Sequence, residues 1–259
     1  MEITLLSQLK TKFDIYTRSF LTGNPDENSP HQLKIDHTHR VCDNIRRIGQ
    51  SADLSPSQFA MAEAVALFHD IGRFEQYRRY QTFSDRNSVN HAALGVEILE
   101  SQGFLAALKP EDKASLLNGV RFHNSPALPH LHSPESMLFI RLIRDADKLD
   151  IWKIFADHCR QKTTPEPAVI QNLSTEDTAS DAIVDRIVTR KPALYQDMQT
   201  FTDFRLLQLS WVFDLEFPYT RTLADQRGEL RAIADSLPDT EKIQQAVGIL
   251  LSHPVEISK

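Results

Sequence analysis

Cysteine is nearly absent. The 259 residues contain two, Cys42 and Cys159, far apart and without CxxC spacing. That count excludes a cysteine zinc site and argues against a disulfide framework. Glycine is scarce too, at 8 residues, and no sustained apolar/polar alternation is bounded by glycine turns. A sheet-rich fold with many tight turns is therefore disfavoured. There is no basic surplus: the formal net charge is -6. This excludes an extended nucleic-acid surface while leaving room for a local basic pocket. No apolar run reaches the roughly 20 residues of a membrane span. The first residues, Met1-Glu2-Ile3-Thr4-Leu5-Leu6-Ser7, place an acid where a signal peptide needs bases. The expectation is a cytoplasmic protein without membrane association.

With 41% hydrophobic and 25% charged residues, the chain has the balance of an ordinary globular protein. Its punctuation is helical. Ser55-Pro56-Ser57-Gln58 offers an N-cap serine, a proline at the first helical position and a glutamine three residues after the cap. The stretch from Phe59 to Phe68 is almost wholly apolar or small, which predicts a central helix. Gly72 is placed to end it. Ser88 is a candidate cap for a helix carrying His91, Leu94 and Ile98. Pro110 opens another toward His123, and Ser133-Pro134-Glu135 a long one to about Cys159. The segment Lys162 to Asp181 reads as a polar connection. Helical patterns resume at Ala182–Val188, Met198–Phe213, Leu223–Leu237 and Ile243–Leu251.

The chemistry-bearing feature is His69-Asp70, an imidazole and a carboxylate at the end of the apolar run Ala64-Val65-Ala66-Leu67-Phe68. His37 lies upstream; His91, His123 and Asp147 follow, each on an apolar helical segment. One histidine on a helix is ordinarily a hydrogen-bonded core residue, and one aspartate a solvated face. A buried aspartate, however, needs a cation. Together these residues read as a metal site gathered from several helices. Imidazole with carboxylate suits Mn, Fe, Mg, Ni, Co or Zn rather than calcium. In a continuous helix His69 and Asp70 diverge by about 100°, so their convergence requires a helix end. His39 is about 200° from His37 on the same helix and cannot face the same ion.

The words His37-Thr38-His39-Arg40-Val41, Ala66-Leu67-Phe68-His69-Asp70-Ile71-Gly72-Arg73 and Asp145-Ala146-Asp147-Lys148-Leu149 resemble, in order and context, the HD-domain superfamily of metal-dependent phosphohydrolases. The resemblance covers about residues 33–152. It implies an all-α fold, with 1–259 as a single compact domain: an HD core over about 33–157 and a helical extension over about 176–252. It also implies that His37, His69, Asp70 and Asp147 hold one divalent ion. His91 in Asn90-His91-Ala92-Ala93-Leu94-Gly95 and His123 in Arg121-Phe122-His123-Asn124 fit the binuclear subset, where Asp70 bridges to a second ion. Substrate contact beside a mononuclear site is the alternative for these two histidines.

The implied reaction is hydrolysis of a phosphomonoester or phosphodiester by water activated at the metal. The substrate would be a phosphorylated small molecule or nucleotide. Arg73, directly after the pair, is the expected phosphate contact. Lys148 either contacts phosphate or pairs with a neighbouring acid. The arginine- and tyrosine-rich stretch from Arg73 reads as a connection of about 17 residues over the site. The Gly-Tyr-Pro signature of the cyclic-di-GMP phosphodiesterase branch is missing, as is an alarmone synthetase partner domain. The same donors also serve a di-iron oxygenase of the myo-inositol oxygenase-like branch, and an HD module without catalysis remains a third reading.

Overall fold

The computed structural model describes residues 1–161 and 173–252. Among them every regular element is helical, and the one β feature is an isolated bridge between Ser174 and Thr200. The all-α expectation holds. By internal packing the chain divides into two compact units, Met1–Asp147 and Lys148–Lys259.

The first unit contains α1 (Ile3–Arg18), α2 (Pro25–Ser51), α3 (Pro56–Phe68), α4 (Gly72–Tyr80), α5 (His91–Ser101), α6 (Pro110–Phe122) and the start of α7 (Pro134–Gln161). The helix α3 begins with the reciprocal cap read from the sequence: Ser55 accepts from the Gln58 amide while Gln58 accepts from the Ser55 amide. Ala60 through Phe68 are buried on every side, because α1, α2 and α6 all pack around α3. Each large apolar side chain so enclosed stabilises the fold by about 1.5–3 kcal/mol. Phe13, Phe68, Phe74 and Phe104 meet edge-on around its C-terminal half.

Three local expectations are corrected. Gly72 does not close α3, which ends at Phe68; it opens α4. The stretch expected as a long connection is therefore a helix through Tyr80, followed by a 3-10 turn at Asp85–Asn87. Its physical basis is local: Glu75 pairs with Arg78 and Arg79 at helical spacing, and Gln81 stops the helix in the left-handed conformation at φ 54°. Ser88 does not cap α5. The Asn90 side chain does, accepting from the Ala93 amide at 2.9 Å. The Ser88 hydroxyl instead donates to the Ser84 carbonyl at 2.7 Å.

In the second unit, α7 runs on to Gln161 and is followed by α8 (Asp181–Val188), α9 (Phe201–Ser210), α10 (Pro218–Gln226), α11 (Glu229–Ala234) and α12 (Glu241–Ser252). Most of the expected polar connection, residues 162–172, lies outside the described residues; residues 173–180 form no helix. The pattern Leu223–Leu237, read as one helix, is two. Gly228 sits between them at φ 65°, a conformation that ends one helix and that glycine adopts without strain. Trp152, fully buried, donates its indole N–H to the Gln208 carbonyl at 2.9 Å. No described helix is long and apolar enough to cross a membrane.

Candidate metal centre

Helix ends converge in the first unit. His69 follows the last residue of α3, and His123 follows the last residue of α6. Both use one device: Nδ1 donates to the carbonyl three residues back, His69 to Ala66 and His123 to Val120, each at 2.7 Å. Those carbonyls belong to the last turn, where helix geometry leaves acceptors open. His91, the first residue of α5, donates Nδ1 to Asp85 at 2.7 Å. Asp70 lies in the turn between α3 and α4, and His37 and Asp147 project from α2 and α7.

Asp70 faces two directions. Its Oδ2 lies 3.5 Å from His37 Nε2 and 3.7 Å from His69 Nε2. Its Oδ1 lies 3.3 Å from His91 Nε2 and 3.7 Å from His123 Nε2. His37 and His69 approach Nε2 to Nε2 at 3.1 Å, and His91 and His123 at 3.0 Å. Asp147 Oδ1 closes the first group, 3.2 Å from His37 Nε2 and 3.8 Å from His69 Nε2. The donors thus form two groups, His37–His69–Asp70 and Asp70–His91–His123, joined by one carboxylate.

Protons do not account for these approaches. A carbonyl or carboxylate only accepts, so Nδ1 carries the hydrogen in His69, His91 and His123. Nε2 of each neutral ring then presents a lone pair. Burial pushes His69 down to about 4, and burial with the nearby Arg73 charge lowers His91, which keeps these two rings neutral near pH 7. Three electron-pair donors in the second group therefore face one another with no hydrogen to share. In the first group, Asp147 Oδ1 is buried without a hydrogen bond of acceptable geometry. Unsatisfied buried acceptors cost about 1–3 kcal/mol each, and a cation relieves all of them together. Spacing agrees: with bonds of about 2.1 Å, neighbouring ligands of one ion stand about 3.0 Å apart in octahedral and about 3.4 Å in tetrahedral geometry. The donor set fits divalent metal.

Cations and carboxylates surround the donors. Burial opposes ionisation of Asp70, but the Lys34 ammonium holds its carboxyl well below the usual range. Lys34 Nζ reaches Asp70 Oδ2 at 2.8 Å. Burial likewise opposes ionisation of Asp147, and His37 holds it low. Arg73 stands 3.5 Å through Nε from Asp70 Oδ1, while its Nη1 donates to Gln76 Oε1 and Asp85 Oδ1, each at 2.9 Å, and to the Phe83 carbonyl. Lys148, for which two roles stood open, donates to the Asp214 carboxylate at 2.7 Å and to the same residue's carbonyl. His39 is exposed and rests edge-on against Phe13; His130 and His132 are exposed as well.

Lys34 and Asp85 were not singled out in the sequence. Lys34 had a legible signal, standing three residues before His37 and so on the same helical face. Asp85 had none, because its place depends on the turn that follows α4.

The HD domain family model matches residues 35–152. Neither the curated proteins nor the solved structures give a match. Residues 35–152, which carry the histidine–aspartate cluster, match the HD domain, and the buried cluster fits an HD-type metal site.

Proposed function

We propose that the protein is a binuclear metal-dependent phosphohydrolase, cleaving a phosphomonoester or phosphodiester of a small molecule or nucleotide. The observation that carries this reading is the division of Asp70: each carboxylate oxygen faces its own pair of imidazole nitrogens. Divalent ions held there would acidify water and polarise a phosphoryl oxygen. The chain's residues supply the rest. Asp70 joins the two donor groups. His37, His69 and Asp147 complete one, and His91 and His123 the other. The Arg73 guanidinium and Lys34 ammonium, beside opposite oxygens of Asp70, add positive charge where a phosphate would enter. The net charge of -6 favours a small substrate over a polyanion. A cytoplasmic setting accords with two thiols outside any disulfide.

The test is anaerobic purification with metal analysis, followed by phosphomonoester and phosphodiester panels with manganese, magnesium, nickel or iron. Phosphate release that follows metal loading is the expected result. Oxygen consumption by the iron form without phosphate release would assign the oxidative branch instead. A fully loaded protein that turns nothing over would leave the non-catalytic module.

A further inference from the structure

The two donor groups are supported differently. Behind His69 stands a neutral carbonyl, that of Ala66. Behind His91 stands a carboxylate: both Asp85 oxygens lie within reach of His91 Nδ1, at 2.8 and 2.7 Å. The same carboxylate accepts from Arg73 Nη1 and Gln76 Nε2 on α4 at 2.9 Å each, and from Asn124 Nδ2, beside His123, at 3.3 Å. One side chain on the 3-10 turn thus ties α4, the start of α5 and the end of α6. These are the places from which Arg73, His91 and His123 project.

We propose that Asp85 is the positioning residue of the Asp70–His91–His123 group, deciding through His91 whether a second ion is held. The inference rests on the two-ion reading above. An acceptor behind Nδ1 keeps the hydrogen there and the lone pair on Nε2, and a charged acceptor makes the ring a stronger donor. Without it, His91 is free to carry its hydrogen on Nε2 and to turn away from Asp70. The His37–His69–Asp147 group has no part in this arrangement, so Asp85 should separate the two binding events.

The experiment is a manganese titration of the metal-free full chain, read by calorimetry and by paramagnetic resonance. The wild type, Asp85→Asn and Asp85→Glu are compared at one pH, each first checked for its melting temperature. Asparagine keeps the volume but removes the negative charge behind His91, and its amide nitrogen, standing in for one carboxylate oxygen, turns a donor toward His91 Nδ1 or toward the Arg73 and Gln76 donors. The expected result is two ions on the wild type. In D85N the second dissociation constant should rise roughly 10–100-fold with the first unchanged, and D85E should recover part of the loss. Equal weakening of both steps would make Asp85 a support of the fold and overturn the proposal. So would two unchanged steps, which would leave the two-ion reading standing. A wild type that takes up one ion or none would overturn that reading itself, before any variant is compared.

Discussion

Gly72→Ala should damage both the fold and the second donor group. A β-carbon at Gly72 would lie 2.1 Å from the His91 carbonyl oxygen and 2.7 Å from the Gly95 amide nitrogen. Those two atoms span the first α-turn of α5, so the methyl would press on backbone with no side chain able to yield. Ordinary contact begins at about 3.4 Å, so α4 and α5 would have to part by about 1.3 Å. Overpacking costs about 1–3 kcal/mol, and the upper end applies where backbone must move. At about 2–4 °C per kcal/mol, the melting temperature should fall by about 6–12 °C. His91 would move with its backbone, away from an Asp70 oxygen now 3.3 Å distant. Ligand distances in metal sites tolerate only about 0.2 Å, so the second manganese should be lost. Thermal melting followed by manganese stoichiometry checks both effects. A variant melting within about 2 °C of wild type, with two ions bound, would refute the close-approach argument.

Asp70→Ala should abolish metal uptake and hydrolysis, whereas His39→Ala should leave both near wild type; equal loss in a metal analysis of the pair would mean that the wrong histidine of the His37/His39 word was chosen. Arg73→Ala should lower kcat on a chromogenic phosphoester while the first ion stays bound, and an unchanged rate and KM would confine Arg73 to tethering Phe83 and Asp85. The metal-free protein should lose stability as pH falls from about 6.5 toward 4. His69 has its folded value lowered to about 4, so the unfolded chain binds the extra proton across that window. Its contribution, about 3 kcal/mol, is fully present above the window and gone below it. Urea midpoints that stay flat between pH 7 and 4 would contradict the burial assigned to His69.

The sequence carried the site further than it carried the local fold. His37, His69, Asp70, His91, His123 and Asp147 were legible because each sits in a short word whose order and context resemble the HD-domain pattern. The Ser55–Gln58 cap was legible because capping needs only near neighbours. What failed depended on distance. Gly72 looked like a stop, since chain-local logic sees only its flexibility; its actual constraint is the approach of α5, set by residues 91–95. The helix α4 looked like a loop because its apolar residues are few, and the Glu75–Arg78–Arg79 pairs that favour it carry less signal than a hydrophobic stripe. The Leu223–Leu237 pattern hid a break because apolar spacing continues on both sides of Gly228.

The enclosure of α3 on every side bears on when the centre forms. The turn bearing His69 and Asp70 is anchored by the core beneath it, so its electron pairs are brought together as the chain folds. Zinc fingers stand at the other extreme, unfolded until the ion arrives. Here chelation would empty the centre and leave the helices standing, and a different divalent ion could enter without any refolding. Occupancy then follows supply and the general affinity order of divalent ions. The metal found after purification would record the growth medium as much as the cell's own choice.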